Sequence, residues 1–257
     1  LGRGGVGAVM GSKNLKAIVF SGSQKAQVAD EERLRAATRH IHEKAKDTAS
    51  TSLYRKYGTI SQVRVTNGQK CFPTRYWQSG YSQHWEHLCA EYQHEHFDVK
   101  LHGCPNCFLQ CTKQAVVKSG RHEGLVLEGP EFETVYAIGG LNCVENLEEV
   151  AYLNELCDRL GLDTMSAGNI AGFATEASRR GRIDYALDYN QPDGIAELFR
   201  LIARAEGIGA LLGKGIKVAS EELDLTDLAV HVKGLEPAGF DPRVLKGMGL
   251  SYATAAR

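Results

Sequence analysis

No stretch of this 257-residue chain approaches the roughly 18 consecutive apolar residues of a membrane helix, so no span is expected. An excess of one charge is missing too. The 30 Lys and Arg against 31 Asp and Glu leave a formal net charge of −1, giving no electrostatic reason to expect nucleic acid or an anionic membrane as partner. There is no repeat, low-complexity tract or long flexible linker, and no charged-then-apolar secretory layout near Leu1. An even cysteine count is also absent. Seven thiols cannot all pair within one chain, and a chain of this size holds a core without disulfides, so a reducing, cytoplasmic setting is expected. What is present is globular: 43% hydrophobic and 24% charged residues, enough for one large domain or two ordinary ones.

Residues 1–11 read as a glycine-rich loop, and the apolar run Lys16–Phe20, ended by Ser21-Gly22, reads as a buried strand. Helices are predicted over Asp30–Lys46, with Asp30 as cap, over Asn146–Gly161, with Gly161 as stop signal, and from Thr164 to about Arg180. A further helical pair is expected over Gly194–Ala205 and Ile208–Glu222. Residues 58–103 show little periodicity and read as irregular.

Gly2, Gly4 and Gly7 match G-x-G-x-x-G, but a dinucleotide fingerprint needs a strand before the glycines, and here the expected strand follows them. Such a loop can still cradle a phosphate or a pterin ring through its backbone N–H groups, with Arg3 adding charge; the plain alternative is a tight structural turn. Cys104, Cys107 and Cys111 form C-x2-C-x3-C on a segment expected to run from turn into helix. Three thiolates so spaced suit an iron–sulfur cube, each on a separate iron. Zinc competes, although the x3 spacing and the lack of a second C-x2-C favour the cube. His84, His87 and Cys89 offer a second zinc reading against that of exposed or hydrogen-bonded histidines. Glu131 and Glu133 share a side if that segment is extended, and a carboxylate in a dry pocket there would have a pKa raised toward proton transfer near neutrality. Asp158 and Asp163 flank a helix junction, where a helix cap and a ligand contact are both open readings.

Together these segments resemble the tungsten- or molybdenum-pterin aldehyde:ferredoxin oxidoreductase family. The likeness rests on Gly2 through Ala17, Pro73-Thr-Arg-Tyr-Trp77, the three cysteines, Glu131-Phe-Glu-Thr134, Asp158-x-x-Gly-Leu-Asp163, His231-Val-Lys-Gly-Leu-Glu236, and Asp241-Pro-Arg through Thr254. It implies an α+β protein of which this chain is an internal, mostly α-helical part. Residues 1–27 would end an N-terminal pterin-binding β domain with its last strand or strands. Residues 28–205 would form a second, helical domain with the cluster loop, and residues 206–257 would begin a third. The resemblance assigns a [4Fe–4S] cluster to Cys104, Cys107 and Cys111, with a fourth ligand expected beyond Arg257. It assigns a tungsten or molybdenum bis-pyranopterin to Arg3, Gly4, Asp158 and Asp163, with Mg2+ as a candidate bridge between pterin phosphates. Glu133 would transfer protons near the metal, and His231 would donate a hydrogen bond to a metal oxo group or substrate oxygen. The implied reaction oxidises an aldehyde to a carboxylate, with ferredoxin as electron acceptor and a homodimer as candidate assembly. The alternatives are a same-family subunit reducing an aromatic-ring coenzyme A thioester and, from another class, a zinc-stabilised helical binding module.

Overall fold

Side-chain caps set the starts of four of the helices in the computed structural model, which describes residues 3–24 and 27–255. Gly2, the first glycine of the N-terminal pattern, lies outside the described residues. α1 (Val6–Ser12) opens on Gly5, whose φ of +71° is a left-handed conformation that glycine adopts freely. The expected glycine loop therefore ends at Gly5 and gives way to a helix. α2 (Glu31–Ala45) starts where Asp30 accepts the Arg33 N–H at 2.8 Å, and α3 (Ala49–Tyr57) where Thr48 caps Thr51. α4 (Gln62–Gly68) and α5 (Ala90–His96) lead into an antiparallel sheet of β1 (Phe97–His102), β2 (Thr112–Val117) and β3 (Val126–Glu128), with β2 in the centre. The register pairs Leu101 with Lys113 and Ala115 with Leu127.

α6 (Phe132–Thr134) continues into a π-helical stretch, Val135–Gly140, every residue of which is buried. α7 (Leu147–Leu160) is capped by Asn146 and stopped by Gly161 at φ +75°, as its sequence predicts. α8 (Thr164–Arg179) follows from an Asp163 cap, then α9 (Pro192–Arg204), α10 (Gly209–Leu212), α11 (Ile216–Glu222) and α12 (Lys246–Thr254). Among the described residues the chain is thus mostly α-helical with one small sheet, as expected.

The sheet is not where the apolar run suggested. Residues 16–20 form no strand, and Val19 and Phe20 are 90% and 86% exposed, because no described strand lies beside them to take up their backbone hydrogen bonds. The segment expected to be irregular, 58–103, is ordered by short helices and β1, and it contributes Ile60, Val63, Phe72, Tyr76 and Trp77 to the core. The single helix expected over Ile208–Glu222 is two, parted at Gly213–Gly215.

The core centres on the π-helical stretch between α7 and α8. A Cβ on Gly168 would lie 2.5 Å from the backbone of Ala137, so α8 crosses this stretch at backbone contact. Asn142 stitches the crossing by donating from Nδ2 to Ala137 O (2.8 Å) and Gly168 O (3.0 Å). Gly168→Ala is therefore expected to cost about 1–3 kcal/mol by overpacking. A urea melt monitored by circular dichroism checks it, and an unchanged midpoint would show that the crossing can part.

Candidate functional site

Three motifs far apart in the chain meet on one guanidinium. Arg3 donates from Nε to Asp163 Oδ2 (2.8 Å), from Nη1 to the Glu236 carbonyl (2.9 Å), and from Nη2 to Ser166 Oγ (3.0 Å) and Glu236 Oε2 (2.8 Å). Ser166 in turn donates to Glu236 Oε2 at 2.7 Å. Local folding explains the convergence. Asp163 is the N-cap of α8 and accepts the Met165 and Ser166 N–H groups, so its carboxylate is fixed at the helix start. Glu236 directly follows the tight Val232–Leu235 turn and is almost wholly buried. A cavity of about 470 Å³ opens beside this node, lined by Arg3, Gly5, Gly7, Ala8, Gly161, Asp163, Ser166 and Leu235. Gly5, Gly7 and Gly161 have open space where a Cβ would stand. Gly4 is exposed in the adjoining turn.

Glu133 lies in the first turn of α6, not on an extended segment, and accepts the Gly239 N–H at 2.9 Å. Burial pushes its carboxyl above the ordinary range, the Gly239 bond and the Arg3 charge pull it back, and Asp163 adds to the push. Gly239 must be glycine, since a Cβ there would run into the Tyr136 ring. Tyr136 is fully buried, donates its hydroxyl to Pro237 O at 2.5 Å and accepts from Asn169, which also accepts from Trp77 Nε1 at 3.0 Å. This chain of bonds locks the 237–239 loop against the core.

The helical start separates the two glutamates expected to share a side. Glu131 accepts from the Thr59 hydroxyl and lines a different cavity, about 290 Å³, with Glu128, Asn154 and Asp158. Asp158 thus stands on this second cavity, while Asp163 stands on the first. Burial raises the Asp158 pKa, with Glu155 and Glu128 adding to the rise and the Asn154 hydrogen bond opposing it. His231 accepts the Gly234 N–H on Nδ1 at 3.1 Å, which in the neutral ring leaves the proton on Nε2 as a donor.

All seven cysteines are free. Burial raises the thiol pKa of Cys71, Cys89, Cys143 and Cys157. Cys104 is exposed, and Cys107 and Cys111 are half-buried, on a loop that runs into β2 and not into the expected helix. Asn106 and Gln110 take left-handed backbone there, curling the loop. Among the described residues no three His, Cys, Asp or Glu side chains are gathered so as to hold a metal ion. The histidines of the 84–102 segment are engaged otherwise: His84 lies 3.2 Å from Glu145, His94 meets Lys56 O at 3.0 Å, and His96 stacks on Tyr92.

A family model described as aldehyde ferredoxin oxidoreductase, domains 2 and 3, matches residues 36–257. The chain belongs to the aldehyde ferredoxin oxidoreductase family. Tungsten-containing aldehyde ferredoxin oxidoreductases of Pyrococcus furiosus and Pyrococcus abyssi are each 34% identical to it over all of this chain and 43% of their own length. An aliphatic sulfonate oxidoreductase, WOR-like subunit, of Pyrococcus furiosus is 32% identical over 91% of this chain and 39% of its own. The chain therefore spans about two-fifths of the length of these relatives. Among solved structures, the active site complex BamBC of benzoyl coenzyme A reductase, in complex with 1,5-dienoyl-CoA, shares the fold with a TM-score of 0.67 at 20% identity. That match covers 93% of this chain and 38% of the other.

Relatives in this aldehyde ferredoxin oxidoreductase family imply metal and pterin cofactors, while the three cysteines here are not gathered around a metal site among the described residues. The cavity beside Arg3 is lined by polar side chains and by glycines. The cysteine loop offers three free thiols above the Lys113 ammonium, which is 3% exposed and has no carboxylate within ion-pair distance among the described residues. Sequence reasoning did not single out Ser166 and Glu236, which complete the Arg3 node, or the buried Lys113. Glu236 had a signal in the motif around it, whereas Ser166 and Lys113 had none.

Proposed function

We propose that this chain is part of an oxidoreductase that converts an aldehyde to a carboxylate and passes the electrons to a ferredoxin in the cytoplasm. It would use a tungsten or molybdenum bis-pyranopterin and a [4Fe–4S] cluster, and the divisions at 27/28 and 205/206 belong to the same proposal. The observation that carries the reading is the Arg3 node, which ties the glycine turn, the Asp163 cap and the Glu236 loop together beside an open cavity. When bound, the pterin metal and the cluster supply the redox chemistry: two electrons leave the substrate and pass on singly.

The chain's own part is binding, orientation and proton handling. Arg3 holds the Asp163 and Glu236 carboxylates in place, and Asp163 presents an acceptor suited to N–H donors on a pterin edge in the cavity beside Arg3, while Asp158 presents one to the second cavity. Glu133, its pKa raised by burial, takes up and releases a proton at its carboxylate oxygen. His231 donates from Nε2, and Cys104, Cys107 and Cys111 hold the cluster.

Iron, labile sulfide, tungsten and molybdenum analysis of the intact protein tests the reading, and zinc alone would overturn it in favour of a binding module. In Cys107→Ser the cluster's visible absorbance and its reduced-state EPR signal are expected to vanish. A cluster spectrum unchanged in that variant would remove this loop from the assignment.

A further inference from the structure

α2 buries none of its own side chains. Its apolar stripe stands open, with Leu34 52% and Ile41 58% exposed, although an amphipathic helix ordinarily turns such a stripe inward. Positive charge gathers on the same segment. Residues 31–57, which make up α2, α3 and the link between them, carry seven Lys and Arg against four Asp and Glu, in a chain whose net charge is −1. A cavity of about 500 Å³ opens where this segment meets the sheet, lined in part by Lys46, Asp47, Arg55, Lys56, His94 and the exposed Leu101. Among the described residues neither Arg55 nor Lys56 has a carboxylate within ion-pair distance, and Lys46 meets Asp47 only at 4.0 Å. Nearby Glu91 is paired with Arg64 instead, at 2.9 Å. On its other side α2 reaches the cysteine loop: His42 meets Phe108 edge-on, with ring centroids 5.3 Å apart.

We propose that α2, α3 and the cleft beside them form the docking surface for an acidic protein, which in the proposed function is the ferredoxin acceptor. Naming the partner a ferredoxin rests on that function; its acidic character rests on the charges of the surface. The two halves of the surface have different tasks. Unpaired cations around the cleft steer an acidic partner into the encounter, and the open Leu34 and Ile41 stripe supplies the apolar contact that holds it. A second copy of this chain suits the face poorly, because a two-fold pairing would set its cations against one another. A nucleic acid suits it less well than a protein, since Glu31, Glu32, Glu43 and Asp47 interrupt the basic charge and the centre is apolar. A partner seated here stands against Phe108 of the cysteine loop.

Surface plasmon resonance of the intact protein against a purified acidic ferredoxin tests this, with cytochrome c as a basic control. Binding should weaken as salt is raised from low to physiological strength, and cytochrome c should not bind. Arg55→Glu with Lys56→Glu is expected to weaken ferredoxin binding about tenfold at low salt, chiefly through slower association. Leu34→Ser with Ile41→Ser should weaken it about tenfold through faster dissociation. All four side chains are exposed, so both double variants should fold. Arg204→Glu, at the exposed end of α9, should bind like the parent. A parent that binds no ferredoxin, or binds cytochrome c as well, overturns the docking surface. So does an affinity that neither double variant changes, which is also the result if another part of a longer chain lies over α2. Tighter binding to a DNA duplex than to ferredoxin overturns it in favour of nucleic acid. Aldehyde-dependent reduction of an artificial dye, read on the same samples, should stay at parent level in both double variants. Its absence from the parent overturns the proposed function, while the binding data still decide the surface.

Discussion

Glu133→Gln is expected to lower turnover of the intact enzyme by about 10²–10⁴-fold while tungsten or molybdenum and iron contents stay at parent level. The substitution is close to isosteric, and the amide oxygen can still accept the Gly239 N–H, so the 237–239 loop should hold its place. What is lost is a group that binds and releases a proton. The effect should also appear in stability. A carboxyl with a raised folded pKa binds more protons folded than unfolded, so its burial costs nothing well below the ordinary glutamate pKa. The cost is imposed as pH rises from that value through the raised one. Parent stability should therefore fall across that window and then level, and Glu133→Gln should flatten the fall. Asp158 contributes in the same direction, so the flattening is partial. Steady-state kinetics with metal analysis, and urea melts at pH values from below the ordinary glutamate range upward, check the two expectations. Unchanged turnover would remove Glu133 from proton transfer.

Arg3→Met should destabilise the fold by about 3 kcal/mol, at the lower end of what breaking a buried ion pair costs. The guanidinium is the shared partner of Asp163 and of Glu236, whose side chain is 3% exposed, so its removal leaves a buried carboxylate without a counter-charge. Methionine keeps most of the aliphatic stem, which separates lost charge from lost packing. The double variant Arg3→Met with Glu236→Gln should recover part of the loss, because the stranded charge is then gone. Chemical denaturation of the four proteins of this cycle measures the coupling. Strict additivity would show that Arg3 and Glu236 are neighbours without being partners. Ser166, which donates to the same Glu236 oxygen, is the group through which residual coupling would pass.

How much was legible in advance differs by element. The α2, α7 and α8 boundaries could be read directly, because Asp30, Asn146, Asp163 and Gly161 act within a few residues of themselves. The run at 16–20 could not. Its composition suits a strand, but a strand exists only with a neighbour to share its hydrogen bonds, and none stands beside it among the described residues. The Glu131–Glu133 segment departs from expectation for a related reason. Two-residue alternation predicts extended chain, whereas Val135–Gly140 winds into a buried π-helical stretch held by Asn142 and crossed by Gly168.

By itself, then, the sequence determined the chemical inventory and the local structure: three closely spaced thiols, a glycine turn carrying Arg3, the carboxylates of the 158–163 junction, and the helices with their caps. Capping and spacing act over one or two turns of chain, so they leave a mark in the residue order. Only the tertiary structure decided which of those groups meet. Arg3 finds Asp163 and Glu236, which lie 160 and 233 positions away, and Asp158 and Asp163 part company onto different cavities. It also placed the Lys113 ammonium beneath the cysteine loop among carbonyls alone. Long-range contacts of this kind are set by packing and by the burial of charge, and neither has a period or a spacing that residue order can display.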